Sequence, residues 1–232
     1  MPFLISLAQR YAIFYAEISQ AAHLGCRPGE VPVRVIAGSK KGVALRCGHG
    51  PFFRPTQQLV KGSIFDTIGF EIEGASVLDL FAGSGAIGIE ALSRGAARAV
   101  FVEQDKRILK ALRTNLERCG FSPAAAQVRI GDALRYLERA AKTGAFFDVI
   151  FADPPYAAQA AAQRVVDIAE KADHPLCRVL VVEHARPVFG KESGALPLVK
   201  ARRFGQTTVS YFRYRKEASG GEGKSGALPG NV

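Results

Sequence analysis

From residue 76 to residue 185, short apolar runs alternate with segments of helical spacing. No other feature of the chain constrains its fold as much. The runs "SVLDLF" (76–81), "ARAVFVE" (97–103), "AQVRIGD" (126–132), "FFDVIFAD" (146–153) and "CRVLVVEH" (177–184) read as buried strands. Between them lie "GAIGIEALSRG", which stops at Gly95, and "DKRILKALRTNLERCG", with Ile108, Leu109, Leu112 and Leu116 on one face and Gly120 as its stop. "ALRYLERAAK" and "AAQRVVDIAEKA" complete the helical segments. Strands joined through helices pair in parallel, and right-handed crossovers cover both faces of the sheet. "LPLVKARRFGQTTVSYFRYR" reads as two more strands turning at Gly205, which adds antiparallel character. The expected class is α/β. A chain of 232 residues, 48% of them hydrophobic, suits one such domain with small additions.

Charge is unevenly placed. The net charge is +10, and residues 31–65 contribute +6 through Arg34, Lys40, Lys41, Arg46, Arg54 and Lys61, with no acid. Residues 201–216 contribute +5 through Arg202, Arg203, Arg213, Arg215 and Lys216, again with no acid. Two acid-free blocks around a neutral middle fit a phosphate-backbone footprint better than a charge spread for solubility. Cys26, Cys47, Cys119 and Cys177 are scattered without metal-ligand spacing, so reduced thiols and no metal site are expected. No apolar run is long enough to span a bilayer, and "MPFLISLAQRYAIFYAEI" lacks the basic start of a signal peptide. A cytoplasmic protein is expected. Residues 1–30 are either an amphipathic helix or an upstream translation start, and both readings stay open. From Ser219 onward the composition is that of a flexible tail.

"DLFAGSGAIGIE" follows the first strand of the alternation. Gly83, Gly85 and Gly88 satisfy G-x-G-x-x-G, and Glu103 ends the next strand. That pattern gives a tight turn for a ligand to approach and a carboxylate for a ribose diol. Asp79, immediately before the loop, would repel a pyrophosphate and suits a cationic amino group. Asp132, after the third strand, can accept from an exocyclic adenine amine. An adenosine carrying an amino acid, S-adenosylmethionine, fits these positions. The nicotinamide oxidoreductase reading of the same loop fits them less well.

"FADPPY" (151–156) ends the fourth strand, at the edge where open α/β sheets bind ligands. Pro154 and Pro155 fix φ and carry no N–H. The Asp153 carboxylate and the Pro154 carbonyl then form a rigid pair of acceptors, as the two hydrogens of a base amine require. Tyr156 offers a face for a flipped base. The chemistry is in-line displacement at a sulfonium methyl. It needs orientation and no metal. His49, His174, His184 and Glu183 read as structural.

With these motifs in place, the chain resembles a class I S-adenosylmethionine-dependent methyltransferase. More closely it is similar to the bacterial small-subunit (16S) ribosomal RNA guanine-N2 methyltransferase D family. The resemblance runs from about Arg34 to about Tyr214 and rests on "RVIAGSKKGVAL" (34–45), "RPT" (54–56), "SIFDTIG" (63–69), "LDLFAGSGAIGIEALSRGA" (78–96), "FVEQD" (101–105), "NL" (115–116), "GDAL" (131–134) and "FADPPY". It implies a Rossmann-like, seven-stranded, mostly parallel sheet with an antiparallel last strand, plus a small basic N-terminal element that holds RNA. Residues 1–30 would be an extension, 31–70 the RNA-binding element, 71–216 the methyltransferase domain and 217–232 a tail.

The motifs, the basic blocks and the resemblance together give a set of site residues. Catalytic residues would be Asp153, Pro154, Pro155 and Tyr156. Cofactor-binding residues would be Asp79, Phe81, Ala82, Gly83, Ser84, Gly85, Glu103, Gln104, Asp132 and Ala133. Arg34, Lys40, Lys41, Arg54 and Lys61 would grip rRNA phosphates, with Phe52 or Phe53 free to stack. The expected partner is 16S rRNA within a 30S subunit or assembly intermediate, and the expected state is a monomer. After "RPT" the family usually has an acid, arginines and a glutamate. This chain has "QQLVKGSIF", with Gln58, Leu59, Lys61 and Gly62, which changes the RNA side and leaves the cofactor and catalytic positions intact. Two other functions share these motifs: an N6-adenine methyltransferase on RNA or DNA, and an inactive rRNA-binding assembly factor.

Overall fold

The structure, a computed structural model, describes residues 33–46, 55–155, 159–185 and 195–214. Residues 1–30, 217–232, Cys26, Cys47, His49, Phe52, Phe53, Arg54 and Tyr156 lie outside them. The strand expectations hold closely. Strands β1 (Ser76–Leu80), β2 (Arg98–Glu103), β3 (Ala126–Ile130), β4 (Phe147–Ala152), β5 (Cys177–Ala185), β6 (Leu198–Phe204) and β7 (Thr207–Arg213) form one sheet in the order β3-β2-β1-β4-β5-β7-β6. The pairs of β1 with β2 and β4, of β2 with β3 and of β4 with β5 are parallel. Strand β7 runs antiparallel to both β5 and β6, so the last strand alone is reversed.

Helices α1 (Pro55–Ile68), α2 (Ala86–Ser93) and α3 (Lys106–Cys119) cover one face of the sheet. There Val77, Phe101, Val149, Val179 and Tyr211 pack against Ile64, Phe65, Ile89 and Leu112. The Phe65 and Phe151 rings meet at 5.7 Å between centroids. Helices α4 (Ala133–Thr143) and α5 (Gln159–Glu170) cover the other face, where Leu78, Val102, Ile150 and Leu180 pack against Leu137, Val165 and Val166. The alternation of buried residues along each strand divides the core between the two faces. One boundary differs from expectation. Strand β3 ends at Ile130, and Asp132 instead caps α4, its carboxylate accepting from the Arg135 N–H at 2.8 Å.

The segment from Val33 to Arg46 folds back on itself, with Val35 and Val43 joined by a backbone hydrogen bond around a turn at Gly38–Lys40. A buried carboxylate fastens it to the body. Glu90, in α2, is fully enclosed. It accepts from the Ile36 N–H at 2.8 Å, the Ala37 N–H at 3.0 Å and the Arg94 guanidinium at 2.8 Å. The Lys61 ammonium of α1 lies 3.0 Å from the same carboxylate and also donates to the Arg34 carbonyl at 2.7 Å. Burial alone would raise the Glu90 pKa, but Lys61, the Ile36 N–H and Arg94 together hold it below the ordinary carboxylate range. Burial pushes Lys61 the other way, downward.

Lys61 therefore does not belong to the phosphate-gripping set. Its ammonium is spent inside the protein, joining three segments. Glu90→Ala would leave that ammonium without a counter-charge and two backbone N–H groups unpaired. Urea unfolding is expected to show a loss of about 3–5 kcal/mol. By contrast, a Cβ at Gly62, next in α1, would meet only Ile36 Cδ1, at 3.8 Å. Gly62→Ala is expected to gain about 0.5–1 kcal/mol in the same measurement.

Candidate active site

Because β1, β2, β4 and β5 are parallel, their carboxyl ends share one edge. The chain proceeds outward from β1 through β2 to β3 and returns to β4 on the other side of β1. The crevice between the carboxyl ends of β1 and β4 is thus the topological switch point, where ligands of such sheets bind. Asp79 and the glycine loop line one wall, and Asp153 stands on the other.

The glycine loop begins with strain. Phe81 has φ 58, the one non-glycine residue in the left-handed region among the described residues. Gly83 follows with φ 57, and a Cβ there would find nothing nearer than the Phe81 carbonyl at 3.9 Å, so the space above it is open to a ligand. The other two glycines do a different job. A Cβ at Gly85 would come within 2.3 Å of Leu112, and one at Gly88 within 2.3 Å of the Phe101 ring. These two seat α2 against β2 and α3.

Two carboxylates brace the loop. Glu103 Oε2 accepts from the Gly83 N–H at 2.9 Å, and its Oε1 accepts from the Gln104 and Asp105 N–H groups at 2.8 Å. Asp79 accepts from the Gly88 N–H at 2.9 Å. Asp79 is buried, and burial raises its pKa to about 8 against the pull of that Gly88 bond; Asp153 and Glu103 push it the same way as burial. Asn115 in α3, fully buried, is a supporting residue that opens the "NL" pair of the family resemblance but was given no role there. Its amide donates to the Ser84 carbonyl at 2.9 Å and accepts from the Arg46 N–H at 2.6 Å, tying the loop to the N-terminal segment. The available signal was a polar residue on the apolar face of Leu109, Leu112 and Leu116.

Asp153 follows the end of β4. Register pairs Ala152 with Val182, so Asp153 stands level with Glu183. Asp153 is exposed, Pro154 buried and Pro155 exposed. Desolvation raises the Asp153 pKa. Glu183 is raised further, by burial and then by the neighbouring Asp153 charge. Asp79, Glu103, Asp153 and Glu183 make the crevice acidic. It favours a cationic or neutral ligand over a phosphorylated one.

The remaining expected residues are distributed as follows. Asp132 and Gln104 are exposed, Ala133 is buried at the start of α4, and Ala82 and Ser84 are buried in the loop. Arg34 donates to the Gly42 carbonyl at 3.2 Å. The Lys40 N–H donates to Ser93 Oγ at 2.9 Å, at the far end of α2 from the glycine loop. Eight residues of helix put Lys40 and Lys41 about 12 Å or more from the reactive edge. Among the described residues no cluster of potential metal ligands occurs, and no helix is long and apolar enough to cross a membrane.

The strand order, the braced glycine loop and the acidic crevice define a class I, S-adenosylmethionine-dependent methyltransferase fold. Within that class, the chain belongs to the family described as "Conserved hypothetical protein 95", which matches residues 33–213. It is 40% identical to YlbH of Bacillus subtilis over 184 residues, covering 79% of this chain and 100% of that protein. It is 38% identical to the "Ribosomal RNA small subunit methyltransferase D" of Haemophilus influenzae over 124 residues, covering 53% of this chain and 64% of that one. The solved structure of yhhF from Escherichia coli superposes with a TM-score of 0.69 at 28% identity, covering 80% of this chain and 99% of that one. The family resemblance read from the motifs is thereby borne out.

The raised Asp79 pKa sets a pH dependence. A cation bound beside Asp79 favours the carboxylate, so binding below about pH 8 must release a proton. The affinity for S-adenosylmethionine is expected to rise with pH by up to about tenfold per unit below that value and to level off above it. Asp79→Asn is expected to flatten the profile. Calorimetry in buffers of different ionisation enthalpy measures both the affinity and the proton released.

Proposed function

We propose that this chain transfers a methyl group from S-adenosylmethionine to the exocyclic N2 amine of a guanine in 16S rRNA, during small-subunit biogenesis. The observation that carries the reading is the position of Asp153 and Pro154 at the carboxyl end of β4, facing the glycine loop across the switch point. Kinship with a small-subunit rRNA methyltransferase supports the choice of RNA.

S-adenosylmethionine supplies an electrophilic methyl group. The protein's contribution is orientation. Asp153 and the Pro154 carbonyl hold the two amine hydrogens, so the nitrogen lone pair faces the methyl carbon. The new N–C bond forms as the C–S bond breaks, and the sulfur leaves neutral. The surplus proton on nitrogen passes to Asp153, whose raised pKa makes it a better acceptor than an ordinary carboxylate. Tyr156 stacks on the flipped base. The remaining lone pair of Glu103, on Oε2, receives a ribose hydroxyl, and Asp132 the adenine amine. Arg34, Lys40 and Lys41 contact RNA phosphates outside the crevice, and Arg54 completes the phosphate-binding set.

The test is methyl transfer from labelled S-adenosylmethionine to 30S particles and to naked 16S rRNA from cells lacking the gene, followed by nucleoside mass spectrometry. N2-methylguanosine is expected, with Asp153→Ala slowing its formation at least about 100-fold. N6-methyladenosine would overturn the guanine assignment. Cofactor binding without transfer to either RNA would overturn the catalytic reading.

A further inference from the structure

Strand β6 is an exposed edge strand that carries the second basic block to the reactive edge of the sheet. Its register can be read straight across. Asp153 stands level with Glu183, Glu183 pairs with Val209, and Val209 pairs with Arg202. Arg202 thus lies on the same crosswise row as Asp153, three strands away, or about 14 Å at the usual inter-strand spacing. Arg203 pairs with Thr208, one position further toward the carboxyl edge of β5, and the turn after Phe204 lies beyond it.

This edge is open and uniformly cationic. Val199, Lys200, Ala201, Arg202 and Arg203 are all exposed. Neither β6 nor β7 contains an acid. Arg202 donates to the neutral Ser63 hydroxyl of α1 at 2.8 Å, and Arg203 to the Gly205 carbonyl at 2.9 Å. The ion pairs among the described residues engage neither guanidinium with a carboxylate. Asp66, one turn beyond Ser63 in α1, lies further from the reactive edge. The Ser63 hydrogen bond also fixes the direction of α1. Its C-terminal end leads through Gly69–Ile72 to the start of β1, so the residues before Ser63 extend toward and past the row of Asp153. The carboxyl edge is therefore acidic in its middle and basic at its β6 margin.

The geometry points to β6, through Lys200, Arg202 and Arg203, as a phosphate-tracking margin for single-stranded RNA flanking the target base. The inference rests on the proposed RNA substrate. A neutral base can enter the acidic crevice, but its phosphates cannot, and the basic margin meets them about 14 Å away. Lys40 and Lys41, at the other end of α2, cannot share that duty. Basic side chains also guard edge strands against pairing with other chains, so the test must separate protection from binding.

The experiment measures naked 16S rRNA affinity of the full chain against salt concentration, with S-adenosylhomocysteine affinity as the check on folding. In Lys200→Gln/Arg202→Gln/Arg203→Gln the slope of log K against log salt is expected to fall by about 2, because each single-strand phosphate left without its cation removes about 0.7. S-adenosylhomocysteine affinity is expected to stay unchanged. Lys40→Gln/Lys41→Gln, which removes two phosphate contacts away from the target base, is expected to lower the slope by no more than about 1.4. Should the triple variant not fold, Arg203→Gln alone is expected to lower the slope by about 0.7. A folded variant with an unchanged slope, or one whose only defect is aggregation, overturns the β6 margin alone. A wild-type chain without salt-dependent binding to naked 16S rRNA overturns this inference, and the proposed function falls with it only when transfer to 30S particles is absent too.

Discussion

Parallel pairing sends the carboxyl ends of five strands to one edge, and the rest of the molecule depends on that constraint. It brings Asp79, Glu103, Asp153 and Glu183 together from positions scattered over more than a hundred residues. Four carboxyl groups in one crevice repel one another, and burial adds to the cost. Asp79, Asp153 and Glu183 respond by holding protons more tightly than free carboxyl groups do. A sulfonium and an ammonium bound there favour the ionised carboxylates and draw off the protons that these groups hold. The reversed strand β7 then brings β6 alongside, so the acidic centre is flanked by a cationic margin. Opposite charges at separate places on one edge suit a substrate with a neutral reacting group and a charged backbone.

Two buried polar side chains transmit this arrangement to the N-terminal segment. Glu90 anchors Ile36, Ala37 and Lys61 near the middle of α2, and Asn115 links Arg46 to the glycine loop. The segment is therefore fixed to the cofactor wall at two points. Its basic residues are divided by this arrangement. Lys61 is consumed internally, and Lys40 and Lys41 are carried to the far end of α2.

Much of this was legible in the sequence, for a physical reason. Strands buried on both faces read as continuous apolar runs, and glycine stops mark where helices end. The last two strands turn at Gly205, as their pattern requires. The glycine loop, Asp79 and Asp153 were legible because strand ends position them locally. Partnerships between distant elements were not. Lys61 lies in an acid-free block and looks like a phosphate ligand, because its partner Glu90 belongs to another helix. The capping role of Asp132 was hidden because an acid after a strand serves a ligand or a helix equally well. Strand register, which places Arg202 on the row of Asp153, has no signature within either segment.

A crystal structure with S-adenosylhomocysteine tests the central claim most directly. The account predicts a ribose hydroxyl on Glu103 Oε2, the amino acid end beside Asp79 and Gly83, and the sulfur facing Asp153 across the switch point. An adenosine bound elsewhere, or a sulfur turned away from Asp153, would contradict it.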